Sequence, residues 1–355
     1  MKRTYFTLLI ASVTAILIAQ APAGYYDSAN GKADTQLRLA LNSIIYNHTD
    51  VGYNGLWAVY ATSDVQNGKV LDIYSNCDFT FSSGNQCGNY TTVCDCYNRE
   101  HSVPQSWFGG ASPMYSDAFH LYPTDGRVNG QRSNYPYGEC SGGTSLGVKA
   151  LGRLGGSTFT GYSGTVFEPD DQYKGDLART YFYMATCYAN QNFISGEGAT
   201  VFVYNSSSNP KANLTAYAIN LFLKWSRNDP VSQKEIDRNN AIYAAQKNRN
   251  PFIDHPELAE YIWGNKVGYV WNVSSQTDDI EAIDVRIIYN RQSSSIQIIC
   301  EQTFDSFAII NLSGQTVESG TITGDFIPIN QLTDGLYFVV LNSNLGRITQ
   351  KLLVY

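Results

Sequence analysis

Four consecutive residues, Asn98-Arg99-Glu100-His101, set a carboxylate directly beside an imidazole. A neutral imidazole, with a reference pKa of about 6.5, accepts a proton from water near neutral pH. A neighbouring carboxylate offers oxygen to a hard divalent cation such as Mg2+, which prefers oxygen ligands and keeps several waters. Base and cation together are the parts needed to hydrolyse a phosphodiester. The pair alone decides little, because acids mostly sit at the surface and a lone His is often a core residue.

A second polar stretch, Asp117 to Asn134, adds weight. The amide oxygen of Asn129 can ligate a cation without adding charge, which leaves the ion electrophilic. Arg127 and Arg132, with Arg99 in the first stretch, are candidates for gripping phosphate oxygens through a bidentate fork. Asp125-Gly126 and Asn129-Gly130 also read as simple turns.

These residues need a scaffold. Leu37, Leu41, Ile44 and Ile45 have helical spacing after Asp34, which reads as a cap. Leu214, Ala218, Leu221, Phe222 and Trp225 form a clearer apolar stripe, and Ser232-x-x-Glu235 is a capping box that opens the next helix. Between them, residues 77 to 170 are rich in Gly, Ser, Asn and Cys, the composition of long functional loops. Six of the seven cysteines (Cys77, Cys87, Cys94, Cys96, Cys140 and Cys187) fall in or near that stretch, and Cys300 stands apart. Six cysteines permit 15 pairings, and spacing does not choose among them. The spacing of Cys77, Cys87, Cys94 and Cys96 contains no CxxC pair, which disfavours a zinc cluster.

Both ends carry sorting information. Lys2 and Arg3 precede an apolar run, Phe6 to Ile18, and Ala21-Pro22-Ala23 supplies small residues for cleavage, so residues 1–23 read as a signal peptide. The run is too short for a spanning helix, and no later stretch is apolar enough for one. Export permits disulfides among the six clustered cysteines. From Val273 to Asp284 the chain turns to Ser, Thr, Gln and Asp, a linker. Beyond it, short strands at Ser295–Cys300, Phe307–Asn311, Thr316–Ser319, Phe326–Ile329, Leu336–Leu341 and Ile348–Val354 alternate with turns at Gly314, Gly320, Asp334-Gly335 and Gly346. That pattern predicts a small all-β sandwich at 285–355. It contains no His and no visible catalytic group.

With 43% hydrophobic and 15% charged residues the chain is an ordered globular protein. Its net charge of −7 excludes a uniformly basic nucleic-acid binder. A local basic patch with a cation remains sufficient for an enzyme that must release its product.

The strings NREHSVPQSWF, DAFHLYPTDGRVNGQRSN and PYGE resemble the bacterial secreted endonuclease I family. Phe167-Glu168-Pro169, Lys174-Gly175-Asp176-Leu177-Ala178-Arg179, Tyr181-Phe182-Tyr183-Met184, Trp225, Asp229-Pro230-Val231, Glu235, Arg238-Asn239 and Asn248-Arg249-Asn250-Pro251-Phe252 extend the likeness in order over about 25–270. The resemblance implies an α+β fold with a ββα-metal core, added helices and a loop-rich disulfide region over 24–272. It implies His101 as general base, and Glu100 and Asn129 as protein ligands of Mg2+, or of another divalent cation such as Mn2+ or Ca2+. It implies hydrolysis of DNA, and often RNA, to 5′-phosphate products with little sequence preference, in a secreted enzyme; the oligomeric state is open, with a monomer expected. The family commonly has His where this chain has Phe119, and Arg132 stands in for a phosphate-gripping Arg whose loop is not matched here.

The last seventy residues resemble a different module, the C-terminal sorting domain of the type IX secretion system, an immunoglobulin-like sandwich. Asp334-Gly335-Leu336-Tyr337-Phe338-Val339-Val340 and Gln350-Lys351-Leu352-Leu353-Val354 carry this likeness. It implies the secretion machinery as a partner and a destination in the medium or at the cell surface. Two other readings of the chain compete: a surface nucleic-acid-binding or adhesin module in which catalysis has decayed, and a metal-dependent phosphodiesterase for small substrates.

Overall fold

The structure, a computed structural model, describes residues 21–273 and 285–354, except 292, 301, 302, 313, 314, 325, 331, 344 and 345. Apart from residues 21–23 and 273, the expected signal peptide and the 273–284 linker lie outside this range, as does the Gly314 turn. The chain divides into two compact units, Met1–Val273 and Ser274–Tyr355. Among the described residues no helix is long and apolar enough to cross a membrane.

The first unit mixes helices with short antiparallel sheets. Helix α1 (Asp34–Ile45) buries Leu37, Leu41 and Ile45 on one face. Asp34 does not cap it. Ala33 holds the cap position, and the Asp34 carboxylate instead accepts the Gly268 N–H. Helix α2 (Leu56–Ser63) follows. Strands β1 (Tyr97–His101) and β2 (Leu121–Asp125) pair antiparallel from Tyr97↔Asp125 to His101↔Leu121, and helix α3 (Gly126–Arg132) leaves β2 without a linker. These three elements sit inside the stretch that reads from sequence as loops.

Helix α4 (Lys174–Cys187) is buried along nearly its whole length, from Gly175 to Cys187. Helix α5 (Ala216–Asn228) covers it with the expected stripe, and Phe222 meets Tyr181 at a ring separation of 4.6 Å. Helix α6 (Gln233–Gln246) opens with both halves of the Ser232–Glu235 capping box. Glu235 also takes a bidentate contact from the buried Arg179, so one carboxylate caps α6 and ties it to α4.

The second unit is an all-β sandwich. Strands β3 (Arg286–Asn290), β4 (Ser295–Ile299) and β7 (Phe326–Pro328) form one antiparallel sheet in the order β3-β4-β7. Strands β5 (Ser306–Asn311), β6 (Thr316–Thr321), β8 (Gly335–Ser343) and β9 (Gly346–Val354) form the other in the order β6-β5-β8-β9. Inward residues of both sheets, among them Ile296, Ile327, Ile309, Val339 and Leu341, share one core. Gly320, expected in a turn, lies inside β6. There a Cβ would come within 3.0 Å of the Phe307 ring, so the position is small because a neighbouring ring crosses it.

Candidate active site

A two-stranded pair is marginal by itself, and the surroundings of β1 and β2 supply what it lacks. Asp125 ends β2 and caps α3 by accepting the Val128 N–H at 2.9 Å. Its other oxygen accepts the Cys94 N–H, and its own N–H donates to the buried Asp72. Disulfides join Cys77 to Cys94 and Cys87 to Cys96, immediately before β1. Tyr90, inside that cross-linked loop, lies against α3 so closely that a Cβ on Gly126 or Gly130 would overlap its ring. The two glycines that read as turn formers are therefore the seat of an aromatic side chain.

Cys140 and Cys187, the other two cysteines expected in disulfides, are buried thiols. Cys140 hydrogen-bonds Glu168, and the Cys187 thiol faces the Ile45 carbonyl at 3.7 Å.

Strand alternation sends the four residues of the first motif to two faces. Asn98 and Glu100 face α3. Asn98 Oδ1 accepts from Asn129 Nδ2 at 2.8 Å, which turns the Asn129 amide oxygen away from that bond. Glu100 Oε1 accepts from both Tyr74 OH and Arg132 Nη1 at 2.9 Å, so neither side-chain donor takes Oε2. Tyr74 is itself held by Tyr137 OH at 2.5 Å. Glu100 Oε2 and the Asn129 amide oxygen take none of these bonds, and each is a hard oxygen donor of the kind Mg2+ prefers. Burial pushes the Glu100 carboxyl up to about 7, against the pull of the Arg132 charge and the Tyr74 hydroxyl.

His101 and Arg99 take the opposite face. His101 Nε2 is 3.0 Å from the Tyr115 carbonyl. A carbonyl only accepts, so Nε2 carries the hydrogen and Nδ1 keeps the lone pair. The ring stacks on Tyr53 at 5.8 Å and 8° and lies beside His120 at 5.4 Å. Burial, with the neighbouring His120 adding to it, lowers the His101 pKa to about 3, which keeps the imidazole neutral. His120 hangs from the next carbonyl back, Met114, at 2.7 Å. Phe119 is buried in the core against Tyr183, at a ring separation of 4.7 Å, so the departure at this position enters core packing.

The three arginines differ. Arg132 is 1% exposed, and beyond Glu100 it donates to the carbonyls of His101 and Ser102. Of the three candidates for phosphate contact it is the enclosed one, and its guanidinium positions the carboxylate and the strand end. Arg99 donates to the Tyr53 carbonyl and lies between the Tyr53 and Trp57 rings, so it braces the ring that backs His101. Arg127 is exposed on α3 and has no ion pair among the described residues. Tyr74, Tyr137, Tyr53 and the Tyr115 carbonyl escape sequence reasoning because their positions are set by distant contacts. The role of Asn98 was within reach, since it lies two residues before Glu100 on the same face.

Residues 33–257 match the Endonuclease I family, and residues 289–355 match a secretion system C-terminal sorting domain. An extracellular ribonuclease of Bacillus amyloliquefaciens is 36% identical over 245 residues, covering 67% of this chain and 78% of the relative. An extracellular ribonuclease of Bacillus subtilis is 34% identical over 253 residues, with the same coverage. A periplasmic deoxyribonuclease of Aeromonas hydrophila is 28% identical over 141 residues, covering 40% of this chain and 48% of the relative. The sorting domain and these exported relatives place the protein in the medium or at the cell surface. The chain belongs to the Endonuclease I family of nucleases and carries a C-terminal sorting domain.

Proposed function

We propose that this protein is a metal-dependent endonuclease that hydrolyses the phosphodiester bonds of both RNA and DNA with little sequence preference, His101 acting as general base. The observation that carries this reading is the tautomer of His101. Its Nε2–H is anchored on the Tyr115 carbonyl, which leaves the lone pair on Nδ1 to accept a proton, and the residue that carries it directly follows Glu100 at the end of β1.

Glu100 and Asn129 would hold a divalent ion, and that ion would supply positive charge to the phosphate and the departing oxygen. His101 Nδ1 removes a proton from the attacking water and holds it, while Nε2 stays bonded to Tyr115. Tyr53 and the Arg99 behind it keep the imidazole plane fixed. Arg132 and Tyr74 hold Glu100 Oε1, which would leave Oε2 for that ion. Arg127, exposed on α3 two residues before Asn129, would meet a phosphate. Because water attacks, the 2′-hydroxyl has no part in the reaction, and the same residues cut RNA and DNA to 5′-phosphate ends. Relatives named ribonuclease and deoxyribonuclease support both substrates.

The test is cleavage of supercoiled plasmid and of single-stranded RNA by purified mature protein, with Mg2+ and with excess chelator. Cutting of both in Mg2+, ending in chelator and leaving 5′-phosphates, is expected. Undiminished cutting after metal removal, or cyclic phosphate ends on RNA, overturns the mechanism. Binding without any cutting favours a decayed binding module, and cutting confined to dinucleotides favours a small-substrate phosphodiesterase.

A further inference from the structure

Away from the ββα elements, three side chains of different chemistry converge. His48 Nε2, an Asp117 carboxylate oxygen and the Cys187 thiol lie within 4.8 Å of one another. Nε2 is already 3.5 Å from Asp117 Oδ2. The His48 and Asp117 side chains are 0% exposed, and so is Cys187. A tetrahedral ion about 2.0–2.3 Å from N, O and S ligands holds them roughly 3.3–3.8 Å apart, so small side-chain movements bring these donors to that spacing.

We propose that His48, Asp117 and Cys187 form a binding site for a divalent transition ion of the Zn2+ class, separate from the oxygen donors of Glu100 and Asn129. The donor set makes the distinction. Thiolate and imidazole select Zn2+ and its neighbours, whereas Mg2+ takes oxygen ligands and avoids sulfur. The carboxylate is held as a metal ligand needs to be held. Asp117 Oδ1 accepts from Gln246 Nε2 and from the Phe119 N–H, each at 3.0 Å. Oδ2, the oxygen facing His48, accepts from Tyr183 OH and Tyr188 OH, each at 2.7 Å.

Tyr188 OH is also 2.9 Å from His48 Nε2, so this phenol bridges the two ligand atoms that the ion would join. It is the group that yields when the ion enters. A cavity of about 300 Å3 lies beside Cys187 and Tyr188, lined also by Asn42, Met114 and Gln191, and it is the side from which an ion and a water as fourth ligand would enter once Tyr188 moves. Burial keeps the Cys187 thiol protonated. Binding therefore releases the thiol proton to solvent, and the imidazole hydrogen, which Nε2 donates to Tyr188 OH before the ion enters, moves to Nδ1, 3.4 Å from the Thr49 carbonyl.

The site would link three parts of the fold. His48 follows the end of α1, Cys187 ends α4, and Asp117 closes the turn that offers the Met114 and Tyr115 carbonyls to His120 and His101. An ion here would stiffen the support of the general base without touching it.

Cobalt provides the test, because a thiolate bound to Co2+ gives a near-ultraviolet charge-transfer band that oxygen and nitrogen ligands do not give. The full mature chain, stripped by chelator and desalted, is titrated with Co2+ in the presence of Mg2+. The expected result is a band that saturates at one equivalent, disappears on adding Zn2+, vanishes in Cys187→Ser and needs at least tenfold more cobalt in His48→Gln. Glu100→Gln should leave the band intact, which separates this site from the catalytic one. Zn2+ should raise the melting temperature of the unaltered protein and not that of His48→Gln, a measurement that stands even if Cys187→Ser folds poorly. Absence of the band, or its persistence in Cys187→Ser, overturns the proposal whether or not the protein cuts nucleic acid.

Discussion

Arg132, the last residue of α3, places Nη1 2.9 Å from Oε1 of Glu100, the penultimate residue of β1. Their side chains are 1% and 5% exposed. The helix thus returns a buried charge to the strand, and the acid expected to hold a cation is oriented by a residue that sequence assigned to the substrate.

Removing one partner of a buried ion pair costs about 3–5 kcal/mol, because the other charge is left without compensation. Arg132→Met should therefore lower stability by an amount in that range and weaken Mg2+ binding, as read by urea denaturation and metal titration. A phosphate-gripping Arg132 makes the opposite forecast: unchanged stability with a raised KM.

Acid inactivation should depend on metal concentration. Burial raises the Glu100 carboxyl to about 7, so below that pH a proton occupies the oxygen that a cation needs. His101, lowered to about 3 by burial, stays neutral over the same interval and contributes no acid limb near 6.5. At low Mg2+ the rate should fall as pH drops below about 7, and raising Mg2+ should move that limb to lower pH. A limb near 6.5 that ignores Mg2+ would point to imidazole protonation instead.

The two disulfides should matter for activity as well as for stability. Each is worth about 2–4 kcal/mol, and between them they hold Tyr90 against α3 and Cys94 against the cap of that helix. Reductant should lower the melting temperature and the cutting rate together. Peptide mapping should recover the links Cys77–Cys94 and Cys87–Cys96, and a link between Cys140 and Cys187 would contradict the arrangement.

Local patterns were legible in the sequence. The stripe from Ala218 to Trp225 and the Ser232–Glu235 box describe α5 and the start of α6, because helix periodicity and capping act within a few residues. The β segments of the second unit were legible for the same reason, although β3 escaped notice. The pairing of the site was not. Arg132 reads as a solvent-facing cation because Glu100, 32 residues earlier, meets it only after β1 and β2 have paired. Tyr74 reaches Glu100, and Tyr137 reaches Tyr74, from still other segments. Cysteine spacing says nothing about sulfur separation, so Cys140 and Cys187 could not be told from the bonded four. At Asp34 a good capping residue lost its cap because its carboxylate met the Gly268 N–H.

The most direct measurement compares turnover, Mg2+ affinity and melting temperature in His101→Ala and the unaltered protein. A general base contributes roughly 10²–10⁴-fold to rate. The account predicts a loss of at least that size, with Mg2+ affinity little changed because Glu100, Asn129 and their supports remain. A stable His101→Ala protein that cuts at the original rate would contradict it.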